Sequence, residues 1–273
     1  MKTVLLISSL VSSSQVGATA SAFCLRRLGV DVIVLPTTLF GRHPGWGPPG
    51  GERVSAKTLS DMWTAIRAQN IKFDALMSGY MAAEDHIDLT IQIIKHLRNH
   101  NPDVKILIDP VKGDDGRLYI PESRAKAMGE RLVPQADILT PNLYELSYLT
   151  GRPLETLPHI IDAARAIAQQ VLVTSVPYKG QIGALWVTPD TIRYVGHESF
   201  ERVPNGGGDC LAALFLAHRL RGQSVKDAQH MAVSAVFQIL KAARANGHSE
   251  LAITEHQNTL THPTLLDIED IYL

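Results

Sequence analysis

The chain of 273 residues has two cysteines, Cys24 and Cys210, and no CxxC pair. That leaves no disulfide framework and no cysteine zinc site, and it suits a reducing compartment. Charge of one sign is also missing. The 26 Lys and Arg balance 27 Asp and Glu, for a net charge of −1. Without a basic excess there is no electrostatic footprint for nucleic acid or an anionic membrane surface. No apolar run is long enough to cross a bilayer. Lys2, the apolar residues 4–7 and Ala18-Thr19-Ala20 imitate a secretory leader, but polar Ser8, Ser9 and residues 12–15 interrupt the apolar stretch. The segment reads instead as the first strand, loop and helix of a cytoplasmic protein. Several signatures are absent as well. There is no GxxxxGK[ST], GxSxG or HExxH, which excludes a P-loop enzyme, a serine-hydrolase elbow and a zincin helix. Gly45-x-Gly47-x-x-Gly50 matches the dinucleotide fingerprint in letters only, because Pro48 and Pro49 offer no N–H and no helix opens there. It reads as a mobile lid or substrate loop. His96 and His100 share a helix face, yet with no third ligand that face reads as solvated.

What the sequence does contain is alternation. The continuous apolar run at 4–7 has the character of a strand buried on both faces, and 30–35, 75–77, 104–108, 138–139 and 171–174 also read as strands. Helical patterns at 16–28, 56–69, 86–100, 122–132, 160–168 and 225–245 separate or follow them. Pro36 is expected to stop the second strand, residues 40–51 to form a long loop and residues 112–119 a polar one. Residues 183–187 and 191–195 form a hairpin, and 251–254 suit an edge strand. With 45% hydrophobic residues and no dividing linker, the pattern predicts one α/β domain over 1–273, with a mostly parallel central sheet and an antiparallel edge. Ligands bind such sheets outside the carboxyl ends of the strands. Ser8-Ser9, Gly79-Tyr80, Asp109, Thr140 to Asn142 and Thr174-Ser175 lie at such ends.

The chain's most informative stretch is Asn205-Gly206-Gly207-Gly208-Asp209-Cys210, which opens an apolar helix. A helix N-terminus carries unpaired N–H groups and partial positive charge, and glycines let an anion approach the backbone. Asp209 in the first turn is suited to take a proton from a hydroxyl attacking a phosphate. A plainer reading, a glycine loop with Asp209 as a cap, stands beside it. Asp109-Pro110-Val111-Lys112-Gly113-Asp114-Asp115-Gly116 places carboxylates after a buried strand, as Mg²⁺ requires, or else forms a turn. Thr140-Pro141-Asn142-x-x-Glu145 adds a second carboxylate, or else caps a helix. Singly the plain readings win. Together with the glycine loop, the nucleotide–Mg²⁺ reading wins.

These three motifs jointly resemble the ribokinase superfamily, and within it the pyridoxal kinases. Phe40-x-x-His43-x-Gly45-Trp46-Gly47 is similar to that family's substrate loop, and Ser78-Gly79-Tyr80 to its Gly-Tyr element. The resemblance implies a ribokinase-like α/β/α fold. It also implies transfer of the ATP γ-phosphate to the 5′-hydroxymethyl of pyridoxal, pyridoxine or pyridoxamine, in vitamin B6 salvage. By the same resemblance Asp209 is the base and Gly206, Gly207 and Gly208 form the anion hole. Asp114 and Glu145 hold Mg²⁺. Asp109, Thr140, Asn142, Thr174, Ser175 and Gly208 follow the nucleotide, while Ser9, His43, Tyr80 and Asp209 face the pyridine alcohol. A monovalent cation, K⁺ or Na⁺, and a homodimer go with the family.

The chain departs from the family pattern in three places. Leu10 stands for a histidine, Pro44 for a hydroxyl residue and Gly207 for a threonine. Two other readings follow. A hydroxymethylpyrimidine kinase is disfavoured by Asp209, where such enzymes tend to have cysteine. A non-catalytic pyridoxal-binding protein is motivated by the altered pocket and opposed by the retained base.

Overall fold

The computed structural model describes residues 1–114 and 116–272. Asp115 of the acidic loop lies outside them. Six parallel strands make the centre of a ten-stranded sheet. They are β1 (Thr3–Val11), β2 (Asp31–Phe40), β4 (Ala75–Ser78), β5 (Lys105–Ile108), β8 (Ile138–Leu139) and β9 (Val171–Tyr178). Their spatial order is β2-β1-β4-β5-β8-β9. Antiparallel strands close both edges: β3 (Gly51–Arg53) beside β2, and β10 (Gln181–Val187), β11 (Ile192–His197) and β12 (Ile268–Asp270) beyond β9. A separate two-stranded ribbon, β6 (Gly113–Asp114) with β7 (Arg117–Leu118), stands off the sheet.

The period of two along β1 divides the core. Val4 and Leu6 enter the layer beneath α1 (Gly17–Arg27), α7 (Gly207–Leu220) and α8 (Val225–Ala245). Leu5 and Ile7 enter the layer beneath α2 (Ala56–Arg67), α3 (Glu84–His100), α4 (Glu122–Ala127), α5 (Leu143–Thr150) and α6 (Leu157–Ile167). Each layer buries a continuous apolar surface, the α/β/α arrangement that a two-faced sheet demands. Both cysteines are free and buried on the α1/α7 side. No helix among the described residues is long and apolar enough to cross a membrane.

Four sequence expectations need correction. Pro36 does not stop β2, which runs on to Phe40. On its outer side β2 is paired only from Thr38, so Pro36 sits on an open edge where its missing N–H costs no ladder bond. The expected long loop at 40–51 is the tip of the β2–β3 hairpin and contains a short turn of helix at Pro44–Trp46. The expected polar loop at 112–119 contains the β6–β7 ribbon, and Lys112 at its start is fully buried. Residues 251–254 form no strand. Leu251, Ala252 and Ile253 pack into the core as a turn, and the edge is supplied by β12, where Asp270 pairs with Arg193. As for His96 and His100, the His100 ring contacts the His96 carbonyl and the His96 ring packs edge-on against Trp63. Among the described residues no group of three His, Cys, Asp or Glu could hold a metal.

Candidate active site

Buried hydroxyls gather at this end of the sheet: Ser8, which lies within β1 and not at its end as expected, Ser78 at the end of β4 and Thr140 just after β8. Among the described residues the Ser8 and Ser78 oxygens have no hydrogen-bond partner. Such groups cost free energy unless something else pairs them. Beside them Asp109 ends β5 and is 6% exposed. Burial drives its carboxyl far above the ordinary range, reinforced by the nearby Glu145 and Asp209 carboxylates and offset in part by Thr140. Asp109 therefore lies within the influence of both the Glu145 and the Asp209 carboxylates at the top of the central strands.

Glu145 lies in the first turn of α5. Asn142 is the N-cap: its side chain accepts the Glu145 N–H at 2.8 Å, and the Glu145 carboxylate accepts the Asn142 N–H at 3.0 Å. This is a capping box, and of the two caps that the sequence left open, Thr140 and Asn142, it uses Asn142. The carboxylate does more than cap. It also accepts the Lys112 N–H at 2.8 Å and the Gly113 N–H. Burial nevertheless lifts Glu145 to about 7, against the pull of those N–H groups and of Lys112. Asp114, one residue on, lies half-buried in β6, and the Asn142 side chain donates to the Gly113 carbonyl at 2.8 Å. The ribbon carrying Asp114 is thus tied to the cap carrying Glu145. Lys112 is the cation enclosed in this cluster. Among the described residues its Nζ has no hydrogen-bond partner; it lies 5.4 Å from the Tyr148 ring, and burial lowers it to about 8.

Asp209 lies in the first turn of α7 and beside α1, whose Ser21 hydroxyl donates to the Asp209 carbonyl at 3.3 Å. Burial raises its carboxyl to about 6, and the nearby Gly17 N–H opposes that rise. The position thus combines a carboxylate poised near neutrality with two helix N-termini. Gly17 has φ +55° and fits against a bulge in β1 at Ser9; a Cβ there would sit 2.3 Å from the Ser9 Oγ. Gly206 has φ +96°, and its Cβ would meet the Gln15 carbonyl at 2.1 Å. Gly207 and Gly208 are different. A Cβ on Gly207 would make ordinary 3.9 Å contacts with Leu240 and Val236, and one on Gly208 would meet nothing within 4 Å. A Cβ on Gly79 would lie 3.9 Å from the Asp209 Oδ1, which sets the Gly79-Tyr80 element beside the carboxylate.

His43 caps the short turn of the hairpin tip, its Nδ1 accepting the Gly45 N–H at 3.1 Å. Its own N–H donates to Ser14 at 3.3 Å, joining the tip to the loop after β1. Burial lowers His43, with Glu250 opposing. Thr174 and Ser175 do not end a strand, because β9 runs on to Tyr178. A register shift in the β9–β10 pairing exposes Ser175 at φ +59°. An exposed, strained bulge beside the nucleotide-type residues is where such strain is kept. The Thr174 N–H donates to the Pro141 carbonyl at 2.9 Å, and Asn142 bridges to Thr174, so this pair stays with the Thr140 to Asn142 turn.

Two participants had no weight in the sequence reading. Lys112 stood at an unassigned place between Val111 and Gly113. Glu250 comes from a polar stretch after the last helix and reaches Gln15 across 235 positions.

The likenesses to known proteins agree with this site. The family model described as phosphomethylpyrimidine kinase matches residues 50–254. Pyridoxal kinase PdxY of Rubrobacter xylanophilus is 32% identical over 272 residues, covering 95% of this chain and 94% of that protein. PdxY of Leifsonia xyli is also 32% identical, covering 95% and 96%. Among solved structures, pyridoxal kinase from Entamoeba histolytica matches with a TM-score of 0.92 at 26% identity, covering 99% and 100%. Pyridoxal kinase from Leishmania donovani in complex with ADP and pyridoxamine matches at 0.93 and 25%, covering all of both chains. The full length of the match, the ribokinase-like sheet and the glycine loop opening α7 lead to one conclusion: this chain belongs to the pyridoxal kinase family.

Proposed function

We propose that this chain is an ATP-dependent kinase of vitamin B6 salvage, acting as one kinase domain over residues 1–273. It transfers the γ-phosphoryl group to the 5′-hydroxymethyl of pyridoxal, pyridoxine or pyridoxamine. The observation that carries the reading is the junction of α1 and α7. There a carboxylate held near 6 adjoins a glycine, Gly208, whose missing side chain serves no packing within the protein.

Asp209 accepts the hydroxyl proton as the oxygen attacks phosphorus in line with the departing ADP oxygen. The peptide N–H groups of Gly206, Gly207 and Gly208 meet the charge on the transferring oxygens, a preorganised stabilisation. Ser9, His43 and Tyr80 orient the pyridine alcohol. Asp109, Thr140, Asn142, Thr174 and Ser175 lie along the nucleotide. The convergence of buried carboxylates suits Mg²⁺, which takes one or two protein carboxylates and completes its shell with phosphate oxygens and water. Asp114 and Glu145 would hold it, directly or through water, and it would neutralise charge on the phosphates. A monovalent cation, homodimer assembly and a cytoplasmic setting complete the proposal. They are supported by the family resemblance and, for the setting, by two free cysteines.

The test is ADP release from Mg-ATP with pyridoxal, pyridoxine, pyridoxamine and hydroxymethylpyrimidine offered separately. Turnover on a B6 vitamer is expected. Turnover on the pyrimidine alone would move the chain to the second reading, which the phosphomethylpyrimidine description favours and Asp209 opposes.

A further inference from the structure

α1 and α7 lie side by side and run the same way. Gln15 adjoins Gly206 at one end, and at the other Arg27 and Arg221 share a cavity. At about 1.5 Å per residue, the 14 residues of α7 put that far end roughly 20 Å from the glycine loop. The cavity measures about 380 Å³ and lies between the two helix ends and the turns over 254–261. That is room for a small molecule. Arg27 comes from the last turn of α1 and Arg221 is the C-cap of α7; Asn258, Thr261 and His262 complete the polar lining. No Asp or Glu is among the described residues that line it. A cavity at the N-terminus of α3 shows the contrast. There Arg53 and Arg124 are balanced by Glu84 and Asp85.

An arginine at a helix C-terminus has an ordinary use, as a complement to the partial negative charge there. That use does not occupy these two guanidiniums. Arg26 and Arg219 beside them donate to the Val32 and Gln223 carbonyls. The arginines in ion pairs among the described residues are Arg98, Arg131 and Arg193. Arg27 and Arg221 are not among them. The Arg27 Nη2 donates to the Asn258 Oδ1 at 2.9 Å, while its Nε is enclosed with no hydrogen-bond partner among the described residues. An enclosed N–H costs free energy until an acceptor reaches it. With its oxygen held by Arg27, Asn258 presents its NH₂ as a donor. Thr261 donates to the Asn258 carbonyl at 3.0 Å, and its oxygen lies 2.9 Å from the His262 Nδ1, which fixes that ring. The lining therefore supplies donors and two positive charges and lacks a negative one.

We propose that this cavity is a second anion site, built to hold a phosphate dianion between the Arg27 and Arg221 guanidiniums. A guanidinium fork pairs two N–H groups with two phosphate oxygens, and two guanidiniums balance two negative charges. The Arg27 Nε gains the acceptor it lacks, and the Asn258 NH₂ donates to a further oxygen. The group recognised is the phosphate itself, carried either as inorganic phosphate or on a small phosphomonoester. The site stands apart from the reading of Asp209 and the glycine loop.

The test follows the His262 ring by NMR, its signal identified by its loss in His262→Asn. The unmodified chain is titrated with inorganic phosphate and, separately, with glycerol 3-phosphate, at fixed pH and with ionic strength held by chloride. The His262 signal should move and saturate. Tighter binding of glycerol 3-phosphate identifies a phosphomonoester as the occupant; equal or weaker binding identifies free phosphate. Arg27→Gln and Arg221→Gln should each weaken the response about tenfold or more, the scale of a lost charge-assisted bond. Should Arg27→Gln fail to fold, Arg221→Gln carries the test alone, because Arg221 is exposed. A His262 signal that stays in place overturns the proposal. So does one that moves as far when chloride alone is raised, or one that answers phosphate equally in Arg221→Gln. The glycine loop is another place where phosphate can bind, so the titration is repeated with ADP saturating. An unchanged His262 response places the anion between the far helix ends, and a lost response overturns the proposal. No readout requires turnover, so failure of the kinase reading, seen as absent ADP release, is distinguishable.

Discussion

A carboxylate that takes a proton in the transition state is tested by replacing it with its amide. Asp209→Asn keeps the shape and the Gly17 contact and loses the acceptor, so kcat should fall about 10²- to 10⁴-fold while ADP binding, followed by calorimetry, stays near the unmodified value. The three glycines before it separate by the same logic. Gly206→Ala meets the Gln15 carbonyl at positive φ and should lower the melting temperature sharply. Gly207→Thr meets only Leu240 and Val236 at contact distance and should fold and turn over. Gly208→Ala meets nothing in the protein, so its melting temperature should match the unmodified chain while ADP affinity collapses. Thermal melts and ADP titrations on the three variants check this. At this scale the sequence was legible where a residue type has few other uses: three glycines before an aspartate, a capping box, an acid after a buried strand. It was silent on Lys112, since a lysine ahead of a Gly-Asp-Asp-Gly turn reads as solvent-exposed, and on Glu250, whose partner lies at the other end of the chain.

Among the elements, the β2–β3 hairpin is the one that the sequence reading proposes as a lid. Its tip is exposed, with Trp46 at 45%, and it is joined to the body through His43–Ser14 and the Ser12 and Ser13 bonds to residues 40 and 41. Limited proteolysis should cut within 40–51, and saturating ADP with pyridoxine should slow that cut several-fold while cleavage elsewhere is unchanged. Equal rates with and without ligand would remove the lid role. The sequence foretold the parallel strands and most helices, because two-faced burial imposes long apolar runs and helix faces impose their own period. It misjudged Pro36 because the cost of proline depends on whether a strand lies on that side. It misplaced the last edge strand because the buried run at 251–253 has the composition of a strand but packs as a turn under the α8 end.

For the molecule as a whole, the clustered carboxylates set a pH dependence. Asp109 and Glu145 are raised in the folded state above their ordinary values. The folded protein therefore holds protons that the unfolded chain releases. Their contribution to stability is fully present below about pH 4 and is lost as the pH rises through the folded values, near 7 for Glu145. The unliganded melting temperature should fall between pH 5 and pH 8. Asp109→Asn, which cannot ionise, should melt higher than the unmodified chain at pH 8 and at nearly the same temperature at or below about pH 4, as read by scanning calorimetry. The enclosure of Lys112 has a consequence of another kind. Pyridoxal is an aldehyde, and aldehydes condense with neutral amines to form imines. An amine lowered to about 8 would be among the readiest to react, yet Lys112 is 0% exposed, whereas Lys57 at 82% side-chain exposure is open to attack. Treatment with pyridoxal and borohydride should therefore mark Lys57 and leave Lys112 unmarked in peptide mass maps. The cluster would keep its internal cation beside a reactive carbonyl substrate without being trapped by it.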